Sequence, residues 1–494
     1  MDSGYGLLKF LFPQIPSLAN TAVWHTLGRT PTSSKWDLKT ELTVQVLREM
    51  MGGPNKKPTP IGKVQATTLK DPGVQGKTWV AKATIPAPAC EDEGLREAVF
   101  KAIDDMKLPD APAPNYTKPD LEEIEVEWTG FRPDAAKTDK LPDISEAEKY
   151  KRLMAEPTRT SETTILYFHG GAYYLCAPAT HRALCSRLAK ESNGRVCNVK
   201  YRLAPQTAFP GQLLDALMVY LSLLYPPPDS LHEPVPAKNI VLGGDSAGGN
   251  LTFALLQLLL QLHRASPNKP PTVLFHGRNI ELPLPAGVSA NSGWFDITRS
   301  MPSITNNAQY DYLPGASHDD TIDGRFPSDD AWPSNPPRGD IFCDLSLLDH
   351  PLTSVLGAES WAGAPPLWMS TGQEMLSDED LVVASRAAQD GVKVQLQVYE
   401  AMPHCFAQLL PGLESADRCL KSWGEWCRRC VEEPESLKTE GKWTAAKTLE
   451  EKSVEVEGAT QITVTEAKGL MGKVRERRIE AYERGDKRTP KSAL

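Results

Sequence analysis

A serine with glycine two residues to either side, Gly244-Asp245-Ser246-Ala247-Gly248, is the group in this sequence best suited to covalent chemistry. It directly follows an apolar run at 239–243 that reads as a strand, and directly precedes an apolar run at 248–263 that reads as a helix. A serine on so sharp a strand-to-helix turn has a strained backbone and an exposed hydroxyl. Strand and helix close on the residues two positions away, so these must lack bulk, as Gly244 and Gly248 do. The first amides of the helix point at the serine and favour negative charge there. Attack of the Ser246 hydroxyl on a carbonyl is the chemistry this arrangement suits.

Such an attack creates an oxyanion, which needs N–H donors aimed at the place where charge develops. His169-Gly170-Gly171-Ala172 follows a strand expected over 163–168, and its glycines let backbone approach a substrate closely. The expected donors are the amides of Gly170, Gly171 and Ala247, with His169, Asp245, Gly244 and Gly248 supporting the two motifs.

A serine of this kind is followed along the chain by an acid and then by a histidine base. Of the nine histidines, His276, His318, His350 and His404 come after Ser246 and its elbow helix (248–263). His318 and His350 fall in an irregular stretch, and His276 follows the elbow helix too closely. His404 sits in a loop just beyond a late strand at 393–399, from which it can swing over the serine. The acid should lie just past the end of the strand at 366–371. Glu374 is there and is preferred; Asp378, four residues on, is the alternative acid or a helix cap.

The elements that must position these residues alternate from residue 163 onward. Strands are expected at 163–168, 195–201, 239–243, 366–371 and 393–399, and helices at 181–192, 213–224, 248–263, 378–390 and 414–432. Strands alternating with helices imply a mostly parallel sheet with helices on both faces. Residues 1–150 show a helical pattern at 38–51 and then Pro- and Lys-rich loops. Residues 298–350 read as a long irregular insertion. The expected organisation is an N-terminal segment and cap (1–150), a catalytic domain (151–432) and a charged, loosely packed tail (433–494) with a helix near 467–484.

Taken together, Tyr167-Phe168-His169-Gly170-Gly171-Ala172, Tyr201-Arg202-Leu203-Ala204-Pro205 with Phe209-Pro210, Gly244-Asp245-Ser246-Ala247-Gly248-Gly249-Asn250 and His404-Cys405-Phe406 resemble the hormone-sensitive-lipase-like branch of the α/β hydrolases. The resemblance spans about residues 160–425 and implies an α/β-hydrolase fold with an N-terminal and insertion cap. The long N-terminal segment, the ending Glu400-Ala401-Met402-Pro403-His404-Cys405-Phe406 and the charged tail look like those of fungal hydrolases, some of which sit beside secondary-metabolite pathways. The family's acid segment begins with aspartate, and Glu374 stands at the matching place. Ala172 replaces a third glycine, Gln206 replaces a glutamate, and the stretch from Ser246 to Glu374 is longer than usual. Tyr201-Arg202 is expected to buttress the sheet, and Trp294-Phe295 to line the pocket or fill the core.

The implied activity is hydrolysis of carboxylic esters, with short- to medium-chain acyl or acetyl groups, through an acyl-enzyme and without cofactor or metal. Acyl transfer on the same triad, and a non-catalytic small-molecule binding protein on this fold, are the alternatives; the latter typically lacks the histidine that is present here as His404. The 494 residues carry a net charge of −9, which gives no reason to expect nucleic acid as a partner. Nine scattered cysteines suggest reduced thiols in an intracellular, cytoplasmic setting, and Cys427-x-x-Cys430 reads as incidental helix positions rather than a metal site. No transmembrane segment is expected. The run at 7–12 could rest on a membrane surface, and Ser492-Ala493-Leu494 is a weak match to a peroxisomal address. The expected partner is a small ester substrate; the sequence does not speak to oligomeric state.

Overall fold

The computed structural model describes residues 12–52, 58–89, 93–315 and 326–485. The elements run in the order α1 (Ile15–Thr26), α2 (Leu38–Gly52), α3 (Ile61–Thr68), β1 (Thr78–Ile85), α4 (Gly94–Asp105), β2 (Ile124–Phe131), α5 (Glu146–Met154), β3 (Thr164–Phe168), α6 (Pro178–Glu191) and β4 (Arg195–Val199). There follow α7 (Gly211–Leu224), β5 (Ile240–Asp245), α8 (Ser246–Ala265), the hairpin β6 (Thr272–Phe275) and β7 (Arg278–Glu281), and β8 (Gly287–Asn291). After the insertion come β9 (Leu367–Gly372), α9 (Ser377–Gln389), β10 (Val394–Tyr399), α10 (Glu414–Glu432), β11 (Glu440–Thr444), β12 (Glu451–Val454) and α11 (Val464–Glu483).

One ten-stranded sheet has the order β1-β2-β4-β3-β5-β8-β9-β10-β11-β12. From β4 to β11 every neighbouring pair is parallel, and β1, β2 and β12 bring antiparallel pairings to the two edges. The strands β3, β4, β5, β8 and β9 are buried at every position, as strands covered by helices on both faces must be. Helices α7 and α8 are apolar nearly all round for the same reason: each is enclosed, and every residue of α7 is buried. This is the α/β-hydrolase architecture. It carries the serine, acid and base loops to the same edge of the sheet, at the carboxyl ends of β5, β9 and β10.

Two expectations about the chain's ends are corrected. Residues 1–150 are more than a cap, because β1 and β2 pair with each other and β2 pairs with β4 in the main sheet. Their strand pattern is masked in sequence by charge: Glu127 in β2 is buried because Arg182 of α6 donates to it at 2.8 Å. The segment after 432 is not a loosely packed tail. β11 extends the parallel sheet beside β10, from Gln395↔Glu440 to Tyr399↔Thr444. Helix α11 buries Ala467 and Met471 and forms a buried ion pair between Arg475 and Asp349. β11 is held by backbone hydrogen bonds to β10 on one side and β12 on the other, so Glu-Gly-Lys-Trp-Thr needs no apolar alternation to join the sheet.

The turn between α1 and α2 lies against the loop that carries His404. The Trp36 indole N–H donates to the Ala401 carbonyl at 2.6 Å, and Lys35 pairs with Glu400 at 2.5 Å. Cys427 and Cys430 are buried on α10 as free thiols. Among the described residues no helix is long and apolar enough to cross a membrane. His318, Cys90, residues 7–11 of the apolar N-terminal run and Ser492-Ala493-Leu494 lie outside the described residues.

Candidate active site

Strand β5 ends at Asp245 and α8 begins at Ser246, whose φ of +51° is the left-handed conformation the tight turn requires. The two flanking glycines are sterically obligatory. A Cβ on Gly244 would strike the Gly248 carbonyl, and one on Gly248 would sit on the Phe168 carbonyl oxygen.

The histidine of the β10–α10 loop faces this serine. His404 Nε2 lies 2.9 Å from Ser246 Oγ, and His404 Nδ1 lies 2.6 Å from Glu374 Oε1. With Nδ1–H donating to the carboxylate, Nε2 is free to accept the serine proton. The imidazole is almost fully buried. Burial alone would lower its pKa, but the adjoining Glu374 carboxylate overrides this and raises it above the ordinary value. Burial raises the Glu374 carboxyl, while His404 and Ser292 pull it back.

Glu374 is held at its other oxygen too: Oε2 accepts from the Ser292 hydroxyl at 2.7 Å and from the Gly372 N–H at 3.1 Å. Ser292 Oγ in turn accepts the Cys405 N–H at 3.0 Å, so one hydroxyl bridges the acid and the base loop. Ser292 follows β8, a strand of mostly small residues (Gly-Val-Ser-Ala-Asn) whose single large apolar side chain hid it in sequence. Asp378, the alternative acid, does not reach His404. Nor does it act as the cap of α9, whose N-cap is Leu376; its Oδ2 accepts the Ser303 N–H at 2.8 Å and ties α9 to the insertion.

The oxyanion loop requires a correction. The Gly170 N–H donates to Asp245 Oδ1 at 3.0 Å, so it is engaged and does not face a substrate. The next amides of the loop are those of Gly171 and Ala172. Gly171 has a φ of +117° and Ala172 a φ of +52°, so the loop keeps its course without a third glycine. Asp245 is the anchor of this corner. Burial would raise its carboxyl, but His181 at 3.3 Å, the Tyr167 hydroxyl at 2.5 Å and the Gly170 amide hold it down at about 2. His169 is fully buried, its pKa pushed down by burial to about 3, and it stacks on Tyr201 with ring centroids 4.4 Å apart. The Tyr201 hydroxyl donates to the His169 carbonyl at 2.7 Å, and Arg202 forms a paired contact with buried Asp215 of α7, 2.7 Å at its shortest. Both brace the loop from behind. Gln206, which stands where the family has glutamate, donates to Gln65 of α3 at 2.8 Å: an amide partner matches an amide. Phe295 is fully buried in the core, whereas Trp294 is half-buried, and its backbone N–H donates to the Ser246 carbonyl at 3.1 Å.

This geometry coincides with a family match. Residues 165–408 match the family described as alpha/beta hydrolase fold. That stretch belongs to the α/β-hydrolase-fold family. An acetyl-hydrolase of Streptomyces hygroscopicus is 28% identical over 56% of this chain and 79% of its own length. An esterase of Acinetobacter venetianus is 28% identical over 53% of this chain and 73% of its own. Among solved structures, an esterase from the bacterial hormone-sensitive lipase family superposes with a TM-score of 0.51 at 21% identity, covering 80% of this chain and 99% of that one. That likeness is one of fold. The α/β-hydrolase sheet places Ser246, Glu374 and His404 in contact across three separate loops.

Proposed function

We propose that this α/β hydrolase cleaves carboxylic esters of short- to medium-chain acyl or acetyl groups, with Ser246 as nucleophile, His404 as base and Glu374 as the acid that orients it. The observation that carries the reading is the continuous chain from Ser246 Oγ to His404 Nε2 at 2.9 Å and from Nδ1 to Glu374 at 2.6 Å. The names of the acetyl-hydrolase and esterase relatives support the substrate class. So does the resemblance of the motifs to the hormone-sensitive-lipase-like branch.

In the first half-reaction His404 Nε2 takes the Ser246 proton as Oγ bonds to the ester carbonyl carbon. The carbonyl oxygen becomes an anion facing the amides of Gly171, Ala172 and Ala247. Collapse of the tetrahedral adduct breaks the bond to the alcohol oxygen, which leaves with the proton from Nε2. In the second half water loses a proton to Nε2 and attacks the acyl carbon; collapse returns a proton to Ser246 Oγ and releases the acid. The test is S246A against p-nitrophenyl acetate. Turnover should fall by a factor of about 10⁴ or more. Turnover close to wild type would refute the assignment.

A further inference from the structure

The insertion between β8 and β9 sends a buried carboxylate to the back of the candidate triad. Asp311 is 1% exposed. Its Oδ2 accepts the N–H of Met375, the residue after Glu374, at 2.8 Å. Its Oδ1 faces the N–H of His404 at 3.4 Å and accepts the Tyr312 N–H at 2.7 Å. The bonds to Tyr312 and, at 3.3 Å, to Leu313 are those of an ordinary turn-forming aspartate. The bonds to Met375 and His404 are different in kind, because they reach two loops that are distant in sequence and carry the acid and the base. The insertion is itself gripped by the N-terminal helices. Arg48 of α2 donates to the Asp311 carbonyl at 2.8 Å and to the Gln309 carbonyl at 2.7 Å.

We propose that Asp311 is a positioning residue that holds the Glu374 and His404 loops in register, and that Arg48 carries this hold to the N-terminal helices. The inference rests on the triad reading above. Asp311 and Ser292 clasp the pair from two sides: Ser292 joins Glu374 Oε2 to the Cys405 amide, and Asp311 joins the Met375 amide to the His404 amide. Without one clasp the loops can shift independently, and displacements of about 1 Å at a reacting pair cost up to a hundredfold in rate.

Asp311 also adds negative charge beside the imidazole. The groups facing His404 are Glu374 from the acid loop, Asp311 from the insertion and Asp245 from the end of β5, together with the uncharged ring of Tyr312. Arg48 of α2 is part-buried and bonds to the Asp311 carbonyl. All three carboxylates favour the imidazolium. Removing one lowers the proton affinity of His404.

D311N keeps the size of the side chain, removes its charge and sets an amide N–H against the Met375 N–H. Two readouts on the full chain decide the matter: p-nitrophenyl acetate kinetics across pH, and the pH titration of the low-field proton resonance of the His404–Glu374 hydrogen bond. We expect kcat to fall about 10- to 100-fold with KM within about twofold of wild type. The acid limb and the resonance midpoint should both move down by roughly half a pH unit. A folded D311N with wild-type kcat and midpoint overturns the proposal. If D311N does not fold, R48M decides: a loss of kcat at constant KM without a lowered midpoint supports the proposal, and unchanged kcat overturns it. Should the wild-type chain hydrolyse no ester, the ester reading fails, and the resonance still reports whether Asp311 governs the pair.

Discussion

At the scale of single residues, the site turns on the contact between Glu374 and His404. The carboxylate raises the pKa of His404, and catalysis needs the neutral imidazole. Activity should therefore fall on acidification along a limb that lies above the free-histidine value of about 6.5. E374Q removes the charge that raises the imidazole. It should move that limb to lower pH and reduce kcat by about 10³ or more, while D378N leaves both near wild type. A pH–rate profile of kcat/KM for the three proteins checks this, and a larger loss in D378N would contradict it. The serine, histidine and glutamate were legible because each follows a strand and because order along the chain limits the choice. The engagement of the Gly170 amide was not legible, since it depends on where the Asp245 carboxylate turns after the strand ends. Asp311 and Ser292 gave no signal either, as neither lies in a motif and both act through backbone amides of remote loops.

At the scale of elements, the elbow couples fold and chemistry most tightly. G248A puts a methyl group into the Phe168 carbonyl, so either the β3 loop or the start of α8 must move. The expected outcome is loss of esterase activity together with a lowered melting temperature, measured by thermal unfolding. A G248A protein with wild-type activity would show that the crossing is looser than described. The elements near the site were readable from apolar runs. Helices α8 and α10 and strands β3, β5, β9 and β10 lie within one or two residues of their expected bounds. β8 was not readable, because Gly-Val-Ser-Ala-Asn has one large apolar residue and takes its burial from α8 and α10 packed over it. The strands β1 and β2 were hidden by charges that are neutralised only in the folded state, Glu127 by Arg182 above all.

At the scale of the whole molecule, the site depends on parts of the chain far from it in sequence. Trp36, Lys35 and Arg48 of the N-terminal region meet the base loop and the insertion, so the region before β1 acts on the geometry around His404. The C-terminal region closes the other edge of the sheet. Truncation after residue 432 would expose the edge of β10, remove the buried Leu437, Val456, Ala467 and Met471 from the packing, and strand buried Asp349 without Arg475. Each of those larger apolar side chains contributes roughly 1.5–3 kcal/mol by burial, and an open parallel edge invites aggregation. The truncated chain should melt several degrees lower or fail to stay monomeric in size-exclusion chromatography. A truncated chain with unchanged melting and elution would show that the terminal strands are dispensable.

The central claim is that Ser246 is the nucleophile, activated through His404 and Glu374. Its most direct measurement is mass analysis of the full chain after reaction with a fluorophosphonate, followed by peptide mapping. One adduct is expected, carried by the peptide containing Ser246, absent in S246A and formed much more slowly in H404A. An adduct mapped elsewhere, or an unmodified Ser246 in a preparation that still hydrolyses esters, would contradict it.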